Sequence, residues 1–412
     1  MAQATAGVAD AQGHDLKVTG LITCAHFFSH LYILALPPIF PVLRADLGLS
    51  VTELGLLLAA LNVTTVLAQP PIGVLVDRYG PGLILIAGQI AFALGIGLAG
   101  LGTGLASFLP LMVLAGLGNA VYHPADYAIL SARVSPGRTA RAFSIHTFGG
   151  YAGFAAAPVV MVTLTALVGW RTGLLLIGAA GLVMAAVLIA ARGELAASVT
   201  RKKEQGAGGT LALLTSPAVL GGFAFFLLLA LGHAGISGFS VVALTGLYGL
   251  GLAAANGPVT VFLTFGAMGV LAGGWVADRF GHHGLIVAIC SLVLAAMAGV
   301  VALVTLPPPA LLPLFAVGGL ASGMVAPSRD MMIRAITPPG ASGRVFGLVM
   351  VGFNVGGLVA PPLYGLTVDH ASPAWVFGIV AMVSLATALT VFGSTATRPG
   401  VTPPADASRR SA

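Results

Sequence analysis

The sequence holds 412 residues, of which 58% are hydrophobic and only 7% charged, with 18 Lys and Arg against 12 Asp and Glu. A soluble domain carries about 25% charged residues, so the composition excludes a water-soluble fold and indicates a chain solvated by lipid. The net charge of +6 has its explanation in where the basic residues fall along the chain, and it implies no nucleic-acid partner.

Apolar runs of roughly 20 to 26 residues recur throughout, each long enough to cross a hydrocarbon core of about 30 Å as a helix. They are too long and too unalternating for barrel strands. In chain order the predicted spans cover residues 18–43, 52–76, 82–103, 106–131, 140–167 and 170–191, then 217–246, 253–277, 284–306, 310–335, 344–368 and 374–394. The expected fold is an all-α membrane protein of twelve transmembrane helices, with tails over 1–17 and 396–412. No stretch outside the spans is long enough to bury a core of its own, which leaves no room for a soluble catalytic domain.

Span one carries His26 and His30, four residues apart and therefore on one helix face. As a zinc pair they lack a third ligand at suitable spacing, and Cys24 and Cys290 sit in different spans, so neither a metal nor a disulfide is expected. Span two ends in "GVLVDRYG", Gly73 to Gly80, which sets Asp77 and Arg78 before a loop glycine. Span three, "ALGIGLAGLGTG", is rich in small residues that let helices approach closely.

Span four contains "GNAVYHPADYAIL", placing Asn119, Tyr122, His123 and Asp126 in an otherwise apolar run. A carboxylate inside a span costs about 2.5–3.5 kcal/mol at the helix centre and less toward its ends. Asp126 therefore needs a cation or a proton. After span six, "RGELAASVTRKKEQGAGGT" is the longest polar stretch between spans and reads as a linker over 192–216, separating one half, 18–191, from another, 217–395.

The halves resemble each other. "GVLVDRYG" returns as "GWVADRFG", Gly274 to Gly281, with Asp278 and Arg279, 201 positions on. Gly116, Pro124, Arg141, Gly153 and Pro158 meet Gly319, Pro327, Arg344, Gly356 and Pro361 at an offset of 203. The same offset of 203 sets His233 against His30, and Arg329, with Asp330 beside it, against Asp126. Two partners for Asp126 stay open: Arg329, reached across the halves as a gate, or Arg133 or Arg138 of its own half. With the N-terminus taken as cytoplasmic, 16 of the 18 basic residues fall on the cytoplasmic side and only Arg44 and Arg171 outside. That asymmetry puts both termini and the linker in the cytoplasm.

The twelve spans, the six-plus-six repeat and the twice-occurring G-x-x-x-D-R-x-G motif resemble the major facilitator superfamily over about residues 17–395. "AHFFSHLYILALPPIFPVLRADLGLS" and "YHP", followed by "GRTARAFSIHTFGGYAGFAAAP", resemble its fosmidomycin-resistance-like efflux branch, although His30 stands where that branch tends to have Asp. The resemblance implies two pseudo-symmetric six-helix bundles in the cell membrane, acting as a monomer without a cofactor, with spans one, four, seven and ten around a cavity. It also implies latches: Asp77 against the start of span eleven near Arg344, and Asp278 against span five near Arg141, formed in the outward-facing state and broken in the inward-facing one. His26, His30, Asn119, Tyr122, His123, Asp126, His233, Arg329 and Asp330 are the expected substrate and proton path, with His123 relaying protons to Asp126. The expected function is secondary transport of a small organic compound, as proton-coupled efflux or, alternatively, proton-coupled uptake of a small organic acid. A membrane-embedded enzyme or receptor would need a catalytic cluster or a sizeable extramembrane domain, and the sequence presents neither.

Overall fold

The computed structural model describes residues 2–196, 215–337 and 342–395. Among these, eleven helical stretches are long and apolar enough to cross a membrane. One of them, Arg141–Ala190, has 50 residues, more than twice the roughly 20 that a bilayer requires. It breaks at Gly169, whose φ of 80° and ψ of 156° suit glycine alone. Two crossings therefore meet at that residue, and the expected twelve spans are present. They are Gln12–Leu47, Val51–Tyr79, Pro81–Leu101, Leu105–Arg133, the pair within Arg141–Ala190, Pro217–Tyr248, Leu252–Phe280, His283–Leu303, Pro308–Ala335, Gly347–His370 and Ala374–Val391. Their outer flanks keep side chains such as Leu167, 74% exposed, and Leu303, 87% exposed, on a surface that hydrocarbon rather than water would wet.

The first helix starts at Ala2, so the segment expected as a tail continues into span one without a stop. No proline interrupts it. Span two starts from a reciprocal cap, in which Glu53 N–H donates to Ser50 Oγ and Ser50 N–H to Glu53 Oε2. Span four is interrupted between Asn119 and Tyr122, because Pro124 cannot donate to the carbonyl of Ala120 and crowds it. The described start of the linker, Arg192–Leu195, docks on the first half. There Lys17 Nζ lies 2.8 Å and His14 Nδ1 2.9 Å from Glu194, and Arg133 Nε donates to the Glu194 carbonyl. The Lys17 hydrogen bond holds the Glu194 carboxyl below the usual carboxylate range. This contribution to stability is present above that range and is lost as pH falls through the lowered value.

The sequence repeat is also a packing repeat. A Cβ on Gly116 would lie 2.5 Å from the Leu61 carbonyl oxygen, and one on Gly319 would strike the Phe262 backbone, so spans four and ten cross spans two and eight backbone to backbone. The contacts also fix the register of spans one and seven. Gly149 and Gly153 face Thr23 and Phe27, while Gly352 and Gly356 face Phe223 and Leu227, which makes the offset 200 there. Beyond the wide π-type turn Gly235–Phe239 the left-handed residues Gly48 and Gly249 are 201 apart. The turn inserts one residue. His30 therefore matches Ala230, and His233 matches Ile33, which corrects the offset of 203 expected for the histidine pair.

Among the described residues, hydrogen bonds between the halves gather toward the face opposite the linker. Asp369 of span eleven accepts from the N–H groups of Val51 and Thr52 at 3.0 and 2.7 Å and from Thr52 Oγ1 at 2.7 Å, capping span two of the other half. Asn256 donates to the Pro38 carbonyl at 2.9 Å, Phe40 packs edge-on against Phe239, and Asn62 donates to the Gly357 carbonyl. Toward the linker face, by contrast, spans five and eight border a cleft of about 360 Å³ lined by Phe143, Thr147, Tyr151, Val270 and Gly274.

If the glycine crossings hold each bundle together, Gly116→Ala and Gly319→Ala should each destabilise the protein by about 1–3 kcal/mol through overpacking. Gly73→Ala, where an added Cβ meets nothing within 4 Å, should leave the thermal midpoint unchanged. Equal midpoints for all three variants would contradict the close-crossing account.

Candidate functional site

The interruption of span four turns Tyr122–Arg133 into a separate helical segment whose buried residues are Tyr122, Ala125, Asp126, Ile129 and Leu130. Asp126 is fully buried. Its Oδ2 lies 3.5 Å from His26 Nδ1 of span one and 3.8 Å from His146 Nε2 of span five, both inside the first half. The His26 and His146 rings stack at 3.9 Å, and His30 and His123 approach His26 at 4.4 and 5.6 Å between ring centroids. Gly150, one turn after His146, makes the space: a Cβ there would stand 2.8 Å from His26 Nε2 and from His30 Cε1. Neither carboxylate oxygen of Asp126, nor His26 Nδ1, His30 Nδ1 or either ring nitrogen of His146, has a hydrogen-bond partner. Such groups are costly to bury unless a proton or cation is shared among them.

The surroundings of Asp126 differ from both expected pairings. Arg133 and Arg138 are engaged by Glu194 and Asp15. Arg329 of span ten donates to Asp330 at 2.9 Å and lies over the Phe226 ring at 4.9 Å. Asp126 is thus apart from Arg329, and it is sealed among imidazoles rather than exposed to water.

His233 does reach this neighbourhood: Phe154 of span five lies 4.2 Å from the His30 ring and 5.9 Å from the His233 ring across the boundary between halves. His123 is exposed and stands 5.7 Å from Tyr127, at the edge of the cluster. Two expected path residues instead bridge helices. Tyr122 is buried and donates to Gln89, which in turn donates to the Gly181 carbonyl, and Asn119 donates to Thr65. Asp77, Asp278 and Arg141 are exposed and make no ion pair among the described residues, and the side chain of Arg344 lies outside them. Gly80 and Gly281 end their helices with φ of 86° and 61°, while an added Cβ at Gly73 or Gly274 would meet open space. Sequence reading counts His146 only among the polar groups within spans that either line the path or bridge helices, and leaves Gly150 and Asp369 out of the site. A histidine and a glycine four apart in span five were a usable signal for the first two, since they share one helix face.

The model of the Major Facilitator Superfamily matches residues 22–312 and 286–412. Similar proteins include the fosmidomycin resistance protein of Escherichia coli (strain K12), 26% identical over 388 residues that cover 91% of this chain and 92% of that one. The 4-hydroxybenzoate transporter PcaK of Pseudomonas aeruginosa is 32% identical over 164 residues, 40% of this chain and 36% of its own. Among solved structures, a bacterial homolog to the human lysosomal transporter Spinster, in an inward-facing and occupied conformation, superposes with a TM-score of 0.71 at 15% identity, covering 92% of this chain and 95% of that one. At that identity the likeness concerns the fold.

Because Asp126 has no arginine or lysine beside it, its neutral isostere fits the same pocket. In protein stripped of metal with chelator, Asp126→Asn should fold and keep its thermal midpoint. A loss of about 3–5 kcal/mol, the cost of stranding a buried partner charge, would mean that Asp126 is paired with a basic side chain after all.

Proposed function

We propose a mechanism from a fixed premise: this chain belongs to the Major Facilitator Superfamily, and it is a membrane transporter of a small substrate rather than an enzyme. Our reading is that it exports a small organic compound in exchange for protons. The observation that carries it is the unequal contact between the halves, clasped around Asp369 at one face and bordering a cleft between spans five and eight toward the other. Two bodies clasped by hydrogen bonds toward one end are arranged to rock, and rocking carries a site between the halves from one side of the membrane to the other.

The Lys and Arg asymmetry supports a cytoplasmic linker and cytoplasmic termini, and the conformation is then the inward-facing one. Exposed Asp77 and Asp278 fit latches that are released in this state, and the open space over Gly73 and Gly274 leaves room for a helix to close on them. Protons enter the reading through Asp126, because a sealed carboxylate without a basic partner is stable only when neutralised. His123, at the exposed edge, and His26 connect it to the space between the halves. The cross-half gate of Asp126 and Arg329 would form only after the linker face closes. Export rests on likeness to the fosmidomycin resistance protein along nearly the whole chain.

A second reading, uptake of a small organic acid with protons, is favoured by Arg329 and by likeness to the 4-hydroxybenzoate transporter over part of the chain. The carboxylate of Asp330 already occupies that guanidinium, which makes it the weaker choice.

Inside-out vesicles carrying an internal pH indicator separate the two, with fosmidomycin and 4-hydroxybenzoate as the first compounds added. Export by exchange predicts that an acidified lumen turns more alkaline on addition of the compound, and that Asp126→Asn abolishes the change. Acidification on addition would indicate uptake together with protons. No response to any compound, or an undiminished one in the Asp126→Asn variant, would overturn proton coupling through this site.

A further inference from the structure

The buried cluster also has the composition of a metal centre, and the reason for expecting none in the sequence, the lack of a third ligand beside His26 and His30, does not survive folding. Span five brings His146 and span four brings Asp126 to the same point. We propose that His26, Asp126 and His146 form a binding site for a divalent transition-metal cation of the zinc class. A bound cation is an alternative to a proton for neutralising Asp126, so the site stands whether or not transport is coupled to protons.

Geometry carries it. One ligand atom from each of the three side chains lies within 4.8 Å of the others, and Asp126 Oδ2 is 3.5 and 3.8 Å from the two imidazole nitrogens. A four-coordinate zinc ion with bonds of about 2.0–2.1 Å sets adjacent ligand atoms roughly 3.3–3.5 Å apart. The stacked rings of His26 and His146 need only splay to aim at one ion. The three side chains are 5%, 0% and 2% exposed, and the atoms facing one another, His26 Nδ1, Asp126 Oδ2 and His146 Nε2, all lack hydrogen-bond partners. A cation at their centre satisfies all three at once.

The ligand types narrow the metal. Two imidazoles and a carboxylate suit zinc, cobalt or nickel and disfavour magnesium and calcium, which take oxygen. One carboxylate leaves a dication with a residual positive charge and an open position. His30 borders the cluster with its own unpartnered Nδ1, and exposed His123 marks the side from which an ion can enter.

The test uses the full chain in lipid nanodiscs, stripped with chelator and titrated with Zn²⁺ by calorimetry. The expected result is one ion per chain, with affinity lowered about 10-fold or more by Asp126→Asn and by His146→Ala. A His282→Ala variant, which removes an exposed histidine at the turn before span nine, should bind as the unaltered protein does. X-ray absorption of the zinc-loaded unaltered protein adds a reading that needs no variant: imidazole nitrogens and an oxygen in the first shell. Absence of binding, binding lost only in the His282→Ala variant, or a zinc shell without imidazole would each overturn the proposal.

Discussion

Asp369 supplies from one half the cap that span two of the other half needs. The first N–H groups of any helix lack partners within it, and at Val51 and Thr52 those partners are the two oxygens of a carboxylate 317 and 318 residues away in sequence. A carboxylate at a helix N-terminus contributes up to about 2 kcal/mol when partly buried. The contact exists only while the halves are closed at that face, so its energy belongs to one conformation and not to the fold as a whole. The cleft between spans five and eight and the exposure of Asp77 and Asp278 are its counterparts at the opposite face.

Within each half, cohesion has a different origin. Lipid offers helices no hydrophobic reason to associate, so the bundles depend on close approach. Gly116 and Gly319 provide it at equivalent crossings, as do Gly153 and Gly356 where the fifth and eleventh spans lie on the first and seventh. Because these contacts lie inside the halves, the halves can move as bodies while the contacts stay unchanged. The histidine cluster belongs to this rigid interior as well, held between spans one, four and five of a single half, with only His123 and the His30–Phe154–His233 contact reaching toward the other.

Much of the fold was legible in the sequence because hydrocarbon thickness imposes a length on every span. The turn at Gly169 falls between the fifth and sixth predicted spans, and the repeat of Gly116 and Gly319 turned out to be a repeat of helix crossings. The histidine pair does not hold, since the offset of 203 taken from spans four and five is 200 in span seven before its π-type turn and 201 after it. The candidate site was legible only in part. Asp126 stood out as a charge in an apolar run, but its neighbours come from helices whose rotation is set by packing, and no spacing along the chain reveals that His146 rather than an arginine stands beside it. Tyr122 and Asn119 illustrate the same limit: a polar group in a span can face a cavity or bridge two helices, and Gln89 and Thr65 decide for bridging here.

The claim on which this account turns is that the two faces open in alternation and that Asp369 holds one of them shut. Spin labels at Thr103 and Thr305 report the separation of the halves at the clasped face, and labels at Gly137 and His282 report it at the linker face. Pulsed electron-resonance distances from both pairs test the claim directly when compared between the otherwise unaltered protein and Asp369→Ala. Loss of about 1–2 kcal/mol from the clasp redistributes conformers by roughly 5- to 30-fold, so the account predicts longer Thr103–Thr305 distances together with shorter Gly137–His282 distances in the variant. Unchanged distributions, or a clasped face that widens while the linker face stays as it was, would contradict it.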